Sequence, residues 1–505
     1  MSANLVWWPG EVAGSMQLPI SVRPGGADPL QQQIVRQIAT LIENGMLKAG
    51  DALPATRELS AQLGVARNTV VLAYQALGRE GFVETFGRTG TRVGSILPRA
   101  YLNAKKRVYR PAEVPERVPE PTHLEQWRNS SLYDPSRNHL LLDFRVGRPD
   151  RTLFPHRVWK RLVEQRLHGA PLALTEYGDP LGLRELRSAI AEHVRITRGI
   201  LCSPDQVLIV GGVQEGLNLV SRLLLQPGSA VVVENPTYAS AAAVLSSYGA
   251  NLIGCEVTEE GLSPRVLPRA GARLAYVTPS HQFPLGPTMS LENRIALLEW
   301  ARRTGSFVVE DDYDGDFRYQ GSPLMALAAL DRSERVIYLA TFSKSLGAGL
   351  RLGYAIVPPS LVPKARMVKD LFDHGHSWLE QAVLADFLRS GAFEAQLRRI
   401  RMVYLERRDG LIAGLKRRFP DVSVMGVEGG MHLTWYLPRT APPAQTLQRE
   451  LLSKGVGIYS LVDGPALMLQ PFDGWDRVVL VGYPCLDRAK TEEALDHIAQ
   501  ALAVT

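Results

Sequence analysis

Cysteine is nearly absent: Cys202, Cys255 and Cys485 are the only three in 505 residues, and they lie far apart. That spacing excludes a disulfide framework and matches no zinc pattern. No apolar run is long enough to cross a bilayer, which excludes a membrane-spanning helix. The start, Met1-Ser-Ala-Asn-Leu-Val-Trp-Trp-Pro9, has no basic segment leading into an apolar core, so a secretory signal is not expected. No internal repeat organises the chain. These absences point to a cytoplasmic location with no membrane partner.

What is present is ordinary in bulk. A hydrophobic content of 45% and a charged content of 21% are those of a globular protein, long enough here for more than one core. The net charge of +6 is uneven, because residues 28–110 carry twelve Lys/Arg against six Asp/Glu, the whole excess of the chain. Charge alone would allow a solvated basic face. The residue pattern says more.

Leu30, Ile34, Ile38 and Leu41 recur at helical spacing, and Gly45 with Lys48-Ala-Gly-Asp-Ala-Leu-Pro54 ends that helix in a loop. A second helix is predicted over 56–63, with Leu59 and Leu63 inward and Gly64 as its stop. A third runs from about 67 to 79 on Val70, Tyr74 and Leu77, leaving Arg67, Asn68 and Thr69 together at its start. Helix, tight turn, helix with exposed polar residues opening the second is the helix-turn-helix pattern. Phe82-Val-Glu-Thr-Phe86, Gly87-Arg-Thr-Gly90 and Thr91-Arg-Val93 read as a two-stranded wing.

Leu53-Pro54, Arg57-Glu-Leu59, Leu63-Gly-Val65, Arg67-Asn-Thr-Val70 and Glu80-Gly-Phe82 resemble the winged helix of the GntR family. The resemblance implies that Arg57, Arg67, Asn68 and Thr69 meet the major groove and phosphates of double-stranded promoter DNA, with Gly90 and Thr91 of the wing nearby. Ala66 departs from the family's usual serine and forgoes a helix cap of about 1 kcal/mol. A charged helical oligomerisation module is the competing reading. The expected domains are a winged helix-turn-helix domain over 1–97 (core 28–95), a proline-rich linker over 98–140, and a third domain over 141–505.

In that third domain, short β-rich runs alternate with helical segments: Val207-Leu-Ile-Val210, Ala230-Val-Val-Val233, Leu274-Ala-Tyr-Val277, Phe307-Val-Val309 and Val336-Ile-Tyr-Leu339. This is an α/β sheet with ligand loops at strand ends. Lys344 sits in Thr341-Phe-Ser-Lys-Ser-Leu-Gly-Ala-Gly-Leu-Arg351, an amine among small hydroxyl residues and glycines. Upstream, Glu310-Asp-Asp-Tyr313 brings carboxylates to the end of a buried strand. An amine for an aldehyde, an acid for a ring nitrogen and a cation for a phosphate are what pyridoxal 5′-phosphate requires. Gly211-Gly-Val-Gln-Glu-Gly-Leu217 follows a strand and opens a helix whose first amides suit a phosphate. Singly, each feature has a plainer reading: Lys344 as a surface lysine, Tyr238 as a packing residue, Tyr177-Gly-Asp-Pro-Leu-Gly182 as a turn. Their order along the chain makes the case.

That order resembles the fold-type I pyridoxal-phosphate-dependent aminotransferases over about residues 142–505, and with the winged helix the chain resembles the MocR/GabR group of GntR regulators. Thr278-Pro-Ser-His-Gln-Phe-Pro284 and Glu310-Asp-Asp-Tyr-Asp314 are especially alike. The resemblance implies an α/β multi-domain protein with a winged helix-turn-helix ahead of an aminotransferase-like domain. It implies Lys344 as the catalytic lysine bonded to the cofactor aldehyde, and Asp311 at the pyridinium nitrogen. Tyr313 is assigned to the ring oxygen and Tyr238 to the ring face. Val213, Gln214, Thr341, Ser343 and Arg351 are assigned to the phosphate. His281 and Gln282 are placed beside the cofactor, and Tyr177 beside the phosphate of a second subunit, so a homodimer is implied. Leu480 and Ser240 stand where catalytic and GABA-responsive relatives carry arginine, and Phe283 where aminotransferases carry asparagine.

The expected function is a regulator that binds promoter DNA and senses pyridoxal phosphate or a small amine effector. RNA polymerase is a further expected partner, and no metal is expected. Sustained turnover is not expected, beyond vestigial transamination. The alternative is a working aminotransferase that carries a DNA-binding module.

Overall fold

The computed structural model describes residues 17–25, 28–86, 90–94, 140–169, 172–269, 271–320 and 325–503. The chain divides into two compact units, Met1–Pro119 and Glu120–Thr505. The linker expected over 98–140 lies, except for Leu140, outside the described residues, as do residues 87–89 of the wing.

The smaller unit holds three helices, α1 (Leu30–Glu43), α2 (Thr56–Leu63) and α3 (Arg67–Arg79). An antiparallel pair follows, β1 (Val83–Phe86) and β2 (Gly90–Val93). Ile34, Ile38, Leu41, Leu59, Val70, Tyr74 and Leu77 close one core, whereas Leu30 and Leu63 are only half-buried at its margin. Gly64 ends α2 in the left-handed region at φ +64°, which favours glycine. The buried Tyr74 hydroxyl donates to Pro54 O at 2.9 Å, tying the loop before α2 to α3.

Ala66 is the N-cap of α3 and offers no side-chain cap. Ala66→Ser should therefore stabilise α3 by about 1 kcal/mol, because its hydroxyl would accept from an amide that now has no side-chain partner. Slower amide exchange across the first turn of α3 would register the gain.

The larger unit has the strands β3 (Leu142–Asp143), β4 (Val207–Val210), β5 (Ala230–Asn235), β6 (Thr237–Tyr238), β7 (Asn251–Thr258) and β8 (Gly261–Leu262). They are followed by β9 (Ala272–Val277), β10 (Phe307–Asp312), β11 (Val336–Thr341) and β12 (Gly353–Ile356). The main sheet has eight strands in the order β4-β12-β11-β10-β9-β5-β7-β8, and the five β-rich runs named above for this domain are all in it. Strands β11, β10, β9, β5 and β7 run parallel. Strand β12 is antiparallel to both β11 and β4, so β4 runs the same way as β11. The carboxyl ends of β4, β5, β9, β10 and β11 consequently share one edge, where an open α/β sheet binds its ligands. Strands β4 and β10 are buried along their whole length, which the continuous apolar run of β4 anticipates, whereas β10 also buries Glu310, Asp311 and Asp312.

A second, antiparallel sheet in the order β13-β14-β18-β16 comes from β13 (Ser423–Met425), β14 (His432–Tyr436), β16 (Tyr459–Ser460) and β18 (Val478–Gly482). Beside it lie the short strands β15 (Val456–Gly457), paired with β3, and β17 (Ala466–Leu467), paired with β6. Leu480 pairs with Thr434 and Tyr459 and is fully buried in an apolar cluster. Among the described residues no helix is long and apolar enough to cross a membrane.

Candidate functional site

A cavity of about 320 Å³ lies at the shared strand edge, within the size range of small-molecule sites. Its wall brings together nine of the residues expected from the sequence: Val213, Gln214, Tyr238, Asp311, Tyr313, Thr341, Ser343, Lys344 and Arg351. They come from the ends of β4, β10 and β11, from β6, and from the turn before β12, so the fold assembles residues that are more than a hundred positions apart.

At one end, Gly212 precedes the helix Val213–Leu224 with φ +107°. A side chain there would come within 3.5 Å of the Arg351 guanidinium and 3.7 Å of Thr341 Oγ1, so the bare backbone keeps that corner open. The helix start contributes outward amides and the positive end of its dipole, and Arg351 adds a fork of donors. Arg351 itself is held at φ +51°, an uncommon left-handed conformation for a residue with a side chain. Thr341 Oγ1 donates to Ser343 Oγ at 2.9 Å. Gln214 Nε2 is buried there without a partner among the described residues.

At the other end is Asp311. Its side chain points to the face opposite those of Glu310 and Asp312, as strand alternation requires. Glu310 accepts from the amides of Leu327 and Ala328, and Asp312 takes Arg198 and the Tyr338 hydroxyl. Asp311 Oδ2 accepts from the Tyr276 hydroxyl at 2.7 Å, while Oδ1 is buried with no partner among the described residues. Between the two ends, Lys344 Nζ donates to Gly147 O at 2.7 Å from a π-helical turn, Ser343–Gly347. Burial pushes the Lys344 ammonium down, against the opposing pull of Asp314 and Asp311. A neutral amine is the nucleophilic form.

Burial, reinforced by Asp312 and Asp314, pushes Asp311 up to about 7 despite the Tyr276 hydrogen bond. Burial also carries Glu234 and Glu310 up to about 7. The folded protein then keeps protons that the unfolded chain releases from about pH 4 upward, so these groups cost stability as pH rises toward 7. The contribution of these groups should lower the melting temperature of the ligand-free protein between about pH 4 and pH 7. Asp311→Asn should flatten part of that fall, and an unchanged slope in a differential scanning experiment would refute the assignment.

Three expected residues stand outside this wall. His281 is buried behind Tyr313, with Nδ1 2.9 Å from the Tyr313 hydroxyl. Gln282 is spent on structure, its amide donating to Glu234, Pro236 O and Phe283 O. Tyr177 is 90% exposed, its ring 6.0 Å from that of His374. Neither Leu480 nor Ser240 lines the cavity.

Sequence reasoning missed Arg145, Val146 and Gly147 after β3, Tyr276 within β9, and Tyr459 with Asp463-Gly464-Pro465 between β16 and β17. Arg145 matters most, since it adds a cation to a wall in which none was expected for a carboxylate. Gly482 makes this possible, because any side chain there would collide with Arg145 O. The Asp463 loop is tied to β6 by Ala239 N donating to Pro465 O at 3.0 Å.

In the smaller unit, Arg57, Arg67 and Asn68 are exposed and Thr69 is half-buried. Arg67 Nε donates to Thr56 Oγ1 at 3.3 Å, which joins the starts of α2 and α3 into one polar face. On the hairpin, Gly90 is exposed, and Thr91 Oγ1 lies 3.3 Å from Thr85 Oγ1.

Residues 30–93 match the bacterial regulatory proteins of the gntR family, and residues 142–498 match aminotransferase class I and II. A winged helix carried on an aminotransferase-like α/β domain defines the class: an HTH-type, DNA-binding transcriptional regulator. Over 475 residues the chain is 34% identical to a probable rhizopine catabolism regulatory protein MocR of Rhizobium meliloti, covering 94% of each. It is 31% identical to the HTH-type pyridoxine biosynthesis transcriptional regulator PdxR of Corynebacterium glutamicum, covering 88% of this chain and 90% of that one. The α-aminoadipate aminotransferase LysN of Thermus thermophilus matches at 29% identity and TM-score 0.65, covering 72% of this chain and 92% of its own. The chain belongs to the MocR-type regulators of the GntR family.

Proposed function

We propose that this regulator holds pyridoxal 5′-phosphate in the cavity at Lys344 and that the state of this site biases how the winged helix engages promoter DNA. The observation that carries the reading is that two residues of the cavity wall, Asp311 and Gln214, each hold a buried polar atom with no partner among the described residues. Asp311 Oδ1 is an acceptor where a ring N–H would complete it, and Gln214 Nε2 a donor where a phosphate oxygen would. Leaving either unmade costs roughly 1–3 kcal/mol, and a ligand with a protonated ring nitrogen and a phosphate would satisfy both.

In this reading Lys344 bonds the cofactor carbon, and Asp311 keeps the ring nitrogen protonated. Tyr238 packs on the ring and Tyr313 donates to its oxygen. Val213, Gln214, Thr341, Ser343 and Arg351 hold the phosphate. The bound cofactor supplies an electron sink for an incoming amine. The exposure of Tyr177 suits a role at the phosphate of a second subunit in a homodimer. Arg57, Arg67, Asn68, Thr69, Gly90 and Thr91 carry DNA recognition. An amine effector, or pyridoxal phosphate itself, is the signal, and RNA polymerase a further partner.

Arg145 favours a second reading, a working aminotransferase, because it offers a substrate carboxylate a charge-assisted contact. Against it stand Leu480, which is locked in the core, and Phe283, which cannot hydrogen-bond a ring substituent. Spectral titration of the loaded protein with amines and amino acids, followed by keto-acid analysis, separates the two. Spectral change without turnover near about 1 per second is expected, and sustained transamination at that rate would establish the enzyme.

A further inference from the structure

His281 and Asp314 form a buried pair behind Tyr313, with side chains only 4% and 1% exposed. One nitrogen, His281 Nδ1, lies 2.9 Å from both the Tyr313 hydroxyl and Asp314 Oδ2. Burial, and then the nearby Asp314 carboxylate, push the Tyr313 hydroxyl well above its ordinary range. Three groups therefore share two protons, and their distribution has consequences for the cavity. A single nitrogen donates one hydrogen bond, and the acceptor that makes it strongest is the carboxylate. With the Nδ1 proton on Asp314, the Tyr313 hydroxyl is released to donate into the cavity. Without it, Asp314 draws that hydroxyl toward itself.

The surroundings are cut to an imidazole. A side chain on Gly430 would collide with His281 Cε1 and Nδ1, and one on Gly426 would come within 2.9 Å of Nε2. His281 Nε2 has no partner among the described residues, as suits a lone pair once the proton sits on Nδ1. Phe283, edge-on to both Tyr238 and Tyr313, leaves the donor role on that side to Tyr313.

We propose that His281, held by Asp314, is a positioning residue that turns the Tyr313 hydroxyl toward the cofactor ring oxygen. The proposal rests on the cofactor reading given above. Other charged groups face the pair from several elements. Asp311 and Lys344 lie on the cavity side, Glu234 acts on Tyr313 from within the core, and His432 packs its ring 4.8 Å from that of His281. Arg198, Arg318 and Arg401 line a second cavity together with His281 and Asp314. Of these, His432 touches position 281 directly, and burial, then His281 itself, hold the His432 imidazolium down. The comparison of His281→Phe with His281→Asn, in which the imidazole is lost from both, therefore isolates the donor.

The readout is the pH midpoint of the visible absorbance of the cofactor-loaded full chain. Loss of a donor to the ring oxygen makes that oxygen hold its proton more tightly. His281→Phe should raise the midpoint by about one pH unit, a tenfold change in proton affinity. His281→Asn, whose amide nitrogen can replace the Nδ1 donor, should restore it. If His281→Phe does not fold, His281→Gln, whose amide lies too far out to do so, should shift the midpoint like His281→Phe. Tyr313→Phe should give the same shift, and combining it with a substitution at 281 should add nothing. Cofactor bound at full stoichiometry with an unmoved midpoint in His281→Phe or His281→Gln would overturn the proposal and leave the cofactor reading standing. Failure of the wild-type chain to take up cofactor would overturn both.

Discussion

Lys344→Ala is expected to abolish covalent retention of pyridoxal phosphate while the larger unit stays folded. Among the described residues the side chain makes one hydrogen bond, to Gly147 O, and otherwise faces the cavity. Its removal leaves a carbonyl without one donor but opens no hole in the apolar clusters. The chemical loss is complete, because the other groups on the wall are hydroxyls, amides, acids and arginines, none of which is an amine that can bond an aldehyde. Borohydride reduction of the loaded protein, followed by peptide mass analysis, should place the cofactor mass on Lys344 in the wild type and nowhere in the variant. A label on any other lysine would remove the basis of the site assignment.

The second large effect concerns DNA. Arg67→Ala or Arg57→Ala should weaken specific binding by about 1–3 kcal/mol if the arginine reads a base edge, with the loss concentrated on particular operator positions. A phosphate contact would instead lower affinity evenly across sequences and reduce the salt slope by about one. Binding by the intact protein should fall steeply with salt in either case, as condensed counterions are released when lysines and arginines meet the backbone. Residues 1–100 alone should bind less tightly than a dimer, which can engage two half-sites at once. Salt-independent binding, or none to DNA from its own locus, would count against a role for α3 in the major groove.

The parts legible in the sequence were those whose signal is local. Arg67–Arg79 is bounded by its own apolar period and by Gly64 upstream, and the helix falls where the pattern puts it. Asp311 and Lys344 were legible because each follows a run of consecutive apolar residues that marks a buried strand, Asp311 near the end of β10 and Lys344 three positions past the end of β11. Arg145 was not, since a lone arginine 199 positions from Lys344 carries no local mark of facing it. Its place depends on β3 pairing with β15 and on Gly482 letting the backbone pass. His281 was placed beside the cofactor by motif, but its actual partners, Tyr313 and Asp314, come from the segment after β10 and could be found only in three dimensions. Gln282 was drawn inward by the buried Glu234, which needs its donors.

The central claim is that one chain couples the site at Lys344 to DNA. Its most direct test is anisotropy and footprinting of a labelled duplex from the promoter of its own gene, titrated with the full chain freed of cofactor and then loaded with pyridoxal phosphate. The account expects the two forms to differ in affinity by about fivefold or more, or to protect different stretches of the duplex. Superimposable isotherms and footprints, with the cofactor confirmed on Lys344 in the loaded form, would contradict it.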